Sequence, residues 1–362
     1  MLYHNCSTHK YLCPRYQIKG FAKGLFLLSL LSLLLFATAC SQDETNATGA
    51  TNANGLTSTT LVLDWTPNTN HTGFYVALDR GYFAAAGLDV EIIQPPEDGA
   101  LMLVAAGHAQ FGVSFQEDVM LAANSPSYPL PVVAIAALVE HNTSGIISLA
   151  EHGITRFRDL EGRTFGSWMI PMYDEMVREA VRLDGGNPDL IQFVPHMALD
   201  NITGIQREFD ATWVFEGWDR VLAEHMGLAV NYFSLKDANP VFNYYTPVLV
   251  AQAGAADGQP IAPDLVQAFM YASAQGFHFA RHNPVEAAQI LHAHAPEMDL
   301  DTLIASQHFL SQAYYSTGPW GYIDATRWNQ FFYWMRDHEF IPATADNPAF
   351  FNVDITSGIG QP

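Results

Sequence analysis

A strand, a polar turn and a helix follow one another between residues 59 and 81, and this unit constrains the fold more than any other segment. Thr59–Leu63 is a short β-branched and aliphatic run, which predicts a buried strand. Asp64–His71 is a polar turn with a proline, and Thr72 predicts the N-cap of a helix that stops at Gly81. Small ligands of open α/β folds bind in the crevice beyond the carboxyl ends of such strands. The unit therefore predicts an α/β fold with a candidate ligand site in this turn.

The side chains of the turn suit the recognition of a polar ligand. Within eight residues the turn holds a carboxylate, an indole, amides and an imidazole, including those of Asp64, Trp65, Asn70 and His71. A simple connection between a strand and a helix does not need this set. Simpler roles stay open at this point, because Asp64 also suits a helix cap and His71 also suits bonding within the turn.

Strand-like and helix-like runs alternate along the middle of the chain, which predicts a mixed α/β fold with parallel sheets. Further strands are predicted at Val90–Ile93, Phe111–Val113, Val132–Leu138, Arg163–Gly166, Ala211–Phe215 and Val248–Ala251. Helices are predicted at residues 99–107, from near residue 116, at 171–183 and at 264–280.

Polar and aromatic residues gather where four of these strands end and in the turn before residue 248. Strand ends of this kind converge on one cleft in a two-lobed fold. Indole and phenol rings stack on planar rings, and carboxylates accept hydrogen bonds from amines and ring N–H groups. Trp213 lies inside a predicted strand and is expected in the core, and Glu117 also suits the first turn of a helix. The candidate ligand-binding residues are Asp64, Trp65, Asn70, His71, Gln116, Glu117, Trp168, Tyr173, Glu216, Trp218, Tyr244 and Tyr245.

Several of these segments resemble the bacterial solute-binding proteins related to the fungal thiamine-pyrimidine synthase. The resemblance spans roughly residues 58–250 and lies in residues 63–65, 67–73, 81–83, 87–90, 112–117, 159–162 and 213–218. It implies the type II periplasmic-binding-protein fold, with two lobes joined by two crossing segments and a ligand cleft between them. The first lobe is then expected at residues 58–138 and 248–362, and the second at residues 139–247.

The resemblance also implies a function. Transport members of the family are similar to receptors that bring pyrimidine precursors of thiamine, or riboflavin in a neighbouring branch, to an ABC permease. It predicts a receptor for a formylaminopyrimidine or hydroxymethylpyrimidine, with riboflavin as the alternative and the permease and ATPase of the importer as partners. Met169 and Ile170 stand where relatives have glycine or small residues, which predicts a reshaped pocket wall.

The synthase branch offers an enzymatic alternative. Its chemistry, as the resemblance implies, uses a lysine-bound pyridoxal phosphate, a histidine and a cysteine-rich iron-binding stretch. The matching positions here hold Ser114, Asp118 and the cysteine-free stretch 243–247, and Lys236 is the only lysine after Cys40. No enzyme and no cofactor are therefore predicted.

The first residues predict an export signal and a membrane anchor. Residues 1–24 are basic, the apolar run Leu25–Phe36 is too short to span a bilayer comfortably, and small residues precede Cys40. This pattern predicts a signal peptide at residues 1–39 and resembles a bacterial lipobox, which implies lipid attachment at Cys40. Residues 40–57 predict a flexible spacer. The folded part is then expected in the cell envelope, facing the periplasm or the exterior, and an uncleaved anchor helix is the alternative.

Composition excludes several classes of partner and site. The chain has 37 Asp and Glu against 16 Lys and Arg, so it repels phosphates and no nucleic acid is expected. All three cysteines precede residue 41, which excludes disulfides and thiolate chemistry in the folded part. His278 and His282 are four residues apart, but a zinc site needs more ligands, and no metal is predicted. An adhesive surface protein would account for the anchor and not for the strand-end clusters.

Overall fold

The computed structural model describes residues 50–96, 99–198, 200–254 and 258–355. The predicted signal peptide, Cys40 and the first part of the predicted spacer lie outside the described residues. The last part of that spacer, residues 50–57, is hydrogen-bonded to the first sheet, so the spacer prediction is wrong for this stretch. The Asn52 side chain donates to Asp89 over 2.8 Å, and the Ser58 amide donates to the carbonyl of Ala50 over 2.9 Å.

The described residues form an alternating series of strands and helices. The strands are β1 Thr57–Val62, β2 Leu88–Ile93, β3 Phe111–Ser114, β4 Val132–Ala137, β5 Ser144–Leu149, β6 Thr164–Ser167, β7 Gln192–Pro195, β8 Ala211–Phe215, β9 Val230–Ser234 and β10 Val248–Gln252. The helices are α1 Thr72–Asp79, α2 Tyr82–Ala85, α3 Gly99–Ala105, α4 Gln116–Ala123, α5 Pro171–Leu183, α6 Asn201–Arg207, α7 Val221–His225, α8 Leu235–Ala238, α9 Pro263–His282, α10 Pro284–His294, α11 Leu300–Ala313 and α12 Ala325–Asp337. None of the described helices is long and apolar enough to cross a membrane.

Two five-stranded sheets form two lobes, and the chain crosses between them twice. The first lobe contains the sheet with strand order β2-β1-β3-β10-β4, and the second lobe contains the sheet with order β7-β6-β8-β5-β9. The crossings run from β4 to β5 and from β9 to β10. The architecture agrees with the predicted two-lobed α/β fold.

Each sheet contains one strand that runs against the others, so the prediction of parallel sheets is wrong in part. Strand β10 is antiparallel to β3 and β4, and β5 is antiparallel to β8 and β9. Both reversed strands come directly after a crossing. Each crossing enters its sheet beside the carboxyl ends of the parallel strands. A strand that starts there can only run back towards their amino ends, so it is antiparallel to them.

Strands β5, β7 and β9 were not predicted, and Gly145 indicates why β5 is hard to recognise. A glycine weakens a strand pattern, yet a Cβ atom at this position would lie 2.5 Å from the carbonyl oxygen of Phe233 in β9. The close approach of the β5 and β9 backbones therefore requires a glycine at residue 145, and the same glycine makes β5 hard to recognise from its sequence.

The strand, turn and helix of residues 59–81 fold much as predicted, but a different residue provides the N-cap. Leu61 and Val62 are fully buried, as expected for a strand covered on both faces. A 3₁₀ turn, Thr69–His71, precedes α1, and the Asn68 side chain caps it by accepting the Asn70 amide over 2.9 Å. The prediction that Thr72 is the cap is wrong, because Asn68 provides an oxygen one turn earlier.

Helix α11 belongs to the first lobe and borders the second. Its Leu303 and Leu310 are buried in the same apolar cluster as Leu61 and Phe111 of the first sheet. Ser306, Phe309 and Leu310 of α11 also lie against Gly217 in the segment that follows β8. This position makes α11 one wall of the boundary between the lobes.

Candidate functional site

A cleft of about 500 Å³ lies where the strands of the two sheets end. Asp64, Trp65, Asn68, Asn70 and Phe115 line it from the first lobe, and Pro247 from the second crossing. Trp168, Tyr173, His196, Asp200, Asn201, Phe215, Trp218, Asp219 and Leu222 line it from the second lobe. Six of the twelve predicted residues are thus brought together: Asp64, Trp65, Asn70, Trp168, Tyr173 and Trp218.

His71 lies behind the cleft and orients Asp64. Its ring is fully buried, and its Nδ1 accepts the backbone N–H of Asn68 over 3.2 Å. The proton must then be on Nε2, which donates to the Asp64 carboxylate over 2.5 Å. His71 therefore acts on the cleft through Asp64 and not as a lining residue.

Trp168 and Tyr173 form an aromatic wall in the second lobe. Their rings meet edge to face, with centroids 5.9 Å apart, and the Tyr173 ring lies 5.0 Å from that of Trp213. Trp213 is buried in the core, as predicted. Met169 and Ile170 are exposed and do not line the cleft, so the prediction that they reshape its wall is wrong.

Glu117 is buried behind this wall, where it joins the two lobes, and does not line the cleft. The Tyr173 hydroxyl of α5 donates to Glu117 Oε1 over 2.7 Å, and the Tyr244 hydroxyl of the second crossing donates to the same atom over 3.4 Å. Burial raises the pKa of Glu117 to about 8, and the charge of Asp118 adds to the rise. Glu117 Oε2 has no hydrogen-bond partner among the described residues.

The remaining predicted residues also lie outside the cleft. Gln116 accepts the Tyr245 amide over 2.8 Å and donates to the carbonyl of Trp328 over 3.1 Å, so it braces the second crossing. Tyr244 and Tyr245 are buried, and Tyr244 stacks on Phe331 with ring centroids 4.1 Å apart. Glu216 is paired with Arg220 over 3.0 Å.

Three polar residues that were not among the predicted ones, His196, Asn201 and Asp219, line the cleft from the second lobe. Asn201 donates to Asp219 Oδ1 over 2.9 Å, and the Phe215 amide donates to Asp219 Oδ2 over 3.2 Å. The side-chain Oδ1 of Asn201 lies 2.8 Å from His196 Nε2, which donates to it. Burial raises the pKa of Asp219 to about 6, against the effect of these hydrogen bonds. Asp219 directly follows Trp218 in a predicted cluster, whereas His196 and Asn201 follow the unpredicted strand β7.

The charged side chains of the cleft are acidic. Asp64, Asp200 and Asp219 line it, and no described lining residue is a lysine or arginine. A phosphate or sulfonate would find no cationic partner here and would face carboxylates. The cleft therefore suits a neutral or cationic ligand with N–H groups and a planar ring.

A second cavity, of about 540 Å³, lies near the C-terminal end of α9. Its arginine, Arg281, is engaged by the protein: it donates to the carbonyls of Ser311 and Tyr315 and stacks on the Tyr315 ring at 4.5 Å. Among the described residues, no cluster of three or more His, Cys, Asp or Glu side chains is arranged to hold a metal ion. The cleft between the lobes is therefore the candidate site.

Comparisons with known proteins agree with this geometry. A family model described as NMT1/THI5 like matches residues 68–287. The formylaminopyrimidine-binding protein of Halalkalibacterium halodurans is 28% identical over 337 residues, which cover 90% of this chain and 98% of the relative. The 4-amino-5-hydroxymethyl-2-methylpyrimidine phosphate synthase of Legionella pneumophila is 23% identical over 248 residues, covering 66% of this chain and 74% of the relative.

The fold is also similar to solved structures. The ligand-binding component of an ABC-type import system from Staphylococcus aureus superposes with a TM-score of 0.60 at 14% identity. The match covers 83% of this chain and 98% of that structure. The two-lobed architecture is therefore that of solute-binding proteins.

Proposed function

Since this chain belongs to the NMT1/THI5-like family, we propose that it is the ligand-binding component of an ABC importer and that it binds an unphosphorylated thiamine-pyrimidine precursor. A formylaminopyrimidine or hydroxymethylpyrimidine is the expected ligand type. One observation carries the proposal: aromatic rings and oriented carboxylates face one cleft from both lobes, without a lysine or arginine among its described lining residues.

The chemistry of the cleft matches an aminopyrimidine. Trp65, Trp168 and Trp218 line the cleft. Indole rings can stack on a planar ligand, and stacking adds about 1 kcal/mol per pair beyond burial. Asp64 and Asp219 accept hydrogen bonds from an exocyclic amine or a formamide N–H. The acidic lining disfavours a phosphate ester of the same pyrimidine.

The positions of three residues favour a receptor over a synthase. Lys236 Nζ lies 3.3 Å from the carbonyl of Asn142 and 3.4 Å from Ser234 Oγ, and it does not line the cleft. Ser114 and Asp118, at the positions matching the synthase lysine and histidine, do not line it either. None of the described side chains that line the candidate site is thus positioned to form a Schiff base.

The proposal extends to partners and location. The receptor would deliver its ligand to the permease and ATPase of one importer, outside the cytoplasm. A cleaved signal peptide at residues 1–39 and a lipid on Cys40 would hold it at the membrane.

Calorimetric titration of the protein from residue 41 onward tests the ligand. We expect binding of formylaminopyrimidine or hydroxymethylpyrimidine, and at least tenfold weaker binding of hydroxymethylpyrimidine phosphate. Asp219→Asn should weaken binding about tenfold, because a charged acceptor forms the stronger hydrogen bond. Asp189→Asn, which changes an exposed acid outside the cleft, is the matched control.

Three results would contradict the proposal. Equal affinity for the phosphate ester would remove the charge argument. Binding of riboflavin but not of the pyrimidines, with strong quenching of tryptophan fluorescence, would show that the ligand is riboflavin. No binding of either class would refute the heterocycle receptor itself.

A further inference from the structure

Ser306 lies on α11 of the first lobe, but its hydroxyl reaches the second lobe. Ser306 Oγ lies 2.5 Å from the carbonyl oxygen of Gly217 and 2.6 Å from Thr69 Oγ1. Since a carbonyl only accepts, Ser306 donates to Gly217 and accepts from Thr69. The three residues form one hydrogen-bonded chain, Thr69 to Ser306 to Gly217, across the boundary between the lobes.

Both ends of this series of hydrogen bonds, Thr69 and Gly217, adjoin the cleft. Thr69 stands between Asn68 and Asn70, which line the cleft from the first lobe, and Gly217 precedes Trp218, which lines it from the second. Ser306 is fully buried and does not line the cleft. It therefore touches two ligand-facing segments without being exposed to the ligand.

We propose that Ser306 is a positioning residue that locks the second lobe onto the first when the cleft closes around its ligand. The inference rests on the proposed function, because it assigns to Ser306 the retention of a ligand bound in the cleft. The Gly217 carbonyl is the part of the second lobe that Ser306 holds, and Trp218 is the ring that this contact fixes.

The fit around Gly217 supports a contact built for this purpose. A Cβ atom at residue 217 would lie 2.8 Å from Phe309 and 2.9 Å from Leu310 of α11, so a larger residue forces these side chains to move. Two further contacts join α11 and its N-cap residue, Asp299, to the same part of the second lobe. Arg220 lies over the Phe309 ring at 5.8 Å, and His225 lies 3.5 Å from Asp299.

Opening of the cleft would expose the three groups to water, which replaces their hydrogen bonds. Loss of the Ser306 hydroxyl therefore costs free energy in the closed form, where the buried Gly217 carbonyl and Thr69 hydroxyl lose a partner. The open form is unaffected. A residue with a purely structural role would instead destabilise the ligand-free protein.

Ser306→Ala tests the inference, and Ser311→Ala is its matched control. Ser311 is a buried serine of the same helix, and its hydroxyl donates to the carbonyl of His308 within that helix. With formylaminopyrimidine as the probe, we expect Ser306→Ala to dissociate about tenfold faster in stopped-flow fluorescence, with an unchanged melting temperature without ligand. Equal dissociation rates for the two variants would overturn the inference, as would a lower melting temperature of ligand-free Ser306→Ala alone.

Small-angle scattering separates this inference from the proposed function. If formylaminopyrimidine does not bind the unaltered protein and riboflavin does, the proposed ligand is wrong and the lock is judged with riboflavin. Ser306→Ala must then stay more extended at saturation than Ser311→Ala, and equal radii of gyration refute the lock. If neither ligand binds, the lock falls together with the proposed function. If the ligand binds, Gly217→Ala should stay more extended at saturation than the unaltered protein, and equal compaction counts against the lock.

Discussion

Asp64 and Asp219 approach the cleft from opposite lobes, and neighbouring donors fix each carboxylate before a ligand arrives. His71 donates to Asp64, and Asn201 with the Phe215 amide donates to Asp219. A side chain that is already ordered loses less conformational entropy on binding. Glu117 has a different role, because its buried carboxyl group bonds to hydroxyls of the second lobe and of the second crossing.

Glu117 should make the protein less stable as the pH rises towards 8. Its pKa rises from 4.5 to about 8 on folding, mainly through burial, so the folded chain keeps a proton that the unfolded chain releases. Raising the pH between these values therefore favours unfolding, and the loss is complete above the folded pKa. Asp118 and Asp219 act in the same direction up to about pH 6. Burial lowers the pKa of His141 and His278 from 6.5, so these two act in the opposite direction below 6.5. The range from 6.5 to 8 is therefore left to Glu117.

Glu117→Gln should flatten this pH dependence, because an amide does not titrate. Thermal unfolding from pH 6.5 to 8 should give a steadily falling melting temperature for the unaltered protein and a nearly constant one for the variant. Asp189→Asn, at an exposed site, should keep the original slope. Identical slopes for Glu117→Gln and the unaltered protein would mean that Glu117 is ionised in the folded state at neutral pH.

At the scale of elements, two junctions after strands set the direction of the cleft aromatics. After β6, Met169 adopts the left-handed conformation with φ 59°, and its amide donates to Ser167 Oγ over 2.8 Å. Ser167 in turn donates to Asp174 of α5 over 2.6 Å. After β8, residues 216–220 form a π-helical turn, a rare geometry that occurs often at functional sites.

Met169→Gly should be tolerated where Ile170→Gly is not. Glycine adopts positive φ without the steric cost of a side chain, roughly 1–2 kcal/mol, which offsets its greater entropy in the unfolded chain. Ile170 has an ordinary φ of −96°, so glycine there relieves no steric cost and brings the entropic cost together with the loss of a partly covered side chain. Urea unfolding should show Met169→Gly equal to or up to about 1 kcal/mol more stable than the unaltered protein, and Ile170→Gly about 1 kcal/mol less stable. An equal loss for both would argue against strain at Met169.

At the scale of the whole molecule, contacts on two sides hold the lobes together. Glu117 and Tyr173 meet behind the aromatic wall, and Ser306 meets Gly217 at α11. One apolar cluster also contains residues of both sheets, such as Val62 and Trp213. The acidic composition, 37 Asp and Glu against 16 Lys and Arg, agrees with a cleft for an uncharged or cationic ligand.

Cys40→Ala should release the protein from membranes or block its processing. The substitution removes the thiol that a lipid would modify, and the apolar run before it is too short to span a bilayer comfortably. Fractionation of cells that express the full chain, with mass spectrometry of the N-terminus, measures the effect. Cys13→Ala is the matched control and should leave attachment unchanged. Persistent attachment of full-length Cys40→Ala would favour an uncleaved anchor helix.

Local sequence determined several of the elements and the aromatic residues that follow them. Helix α5 at Pro171–Leu183 and strand β8 at Ala211–Phe215 have the predicted bounds. Trp65 and Trp168 line the cleft because each follows a strand whose carboxyl end faces it. These features depend on hydrophobic periodicity, on capping and on the common direction of parallel strands, which short stretches of sequence encode.

Only the tertiary structure decided which polar residues face the ligand. Gln116, Glu117, Tyr244 and Tyr245 are buried because partners far away in the chain cover them, such as Trp328 and Tyr173. The π-helical turn brings Asp219 into the cleft and leaves Glu216 paired with Arg220. The pattern at a strand end specifies where a side chain is attached, whereas its partners depend on how elements far apart in the chain pack together.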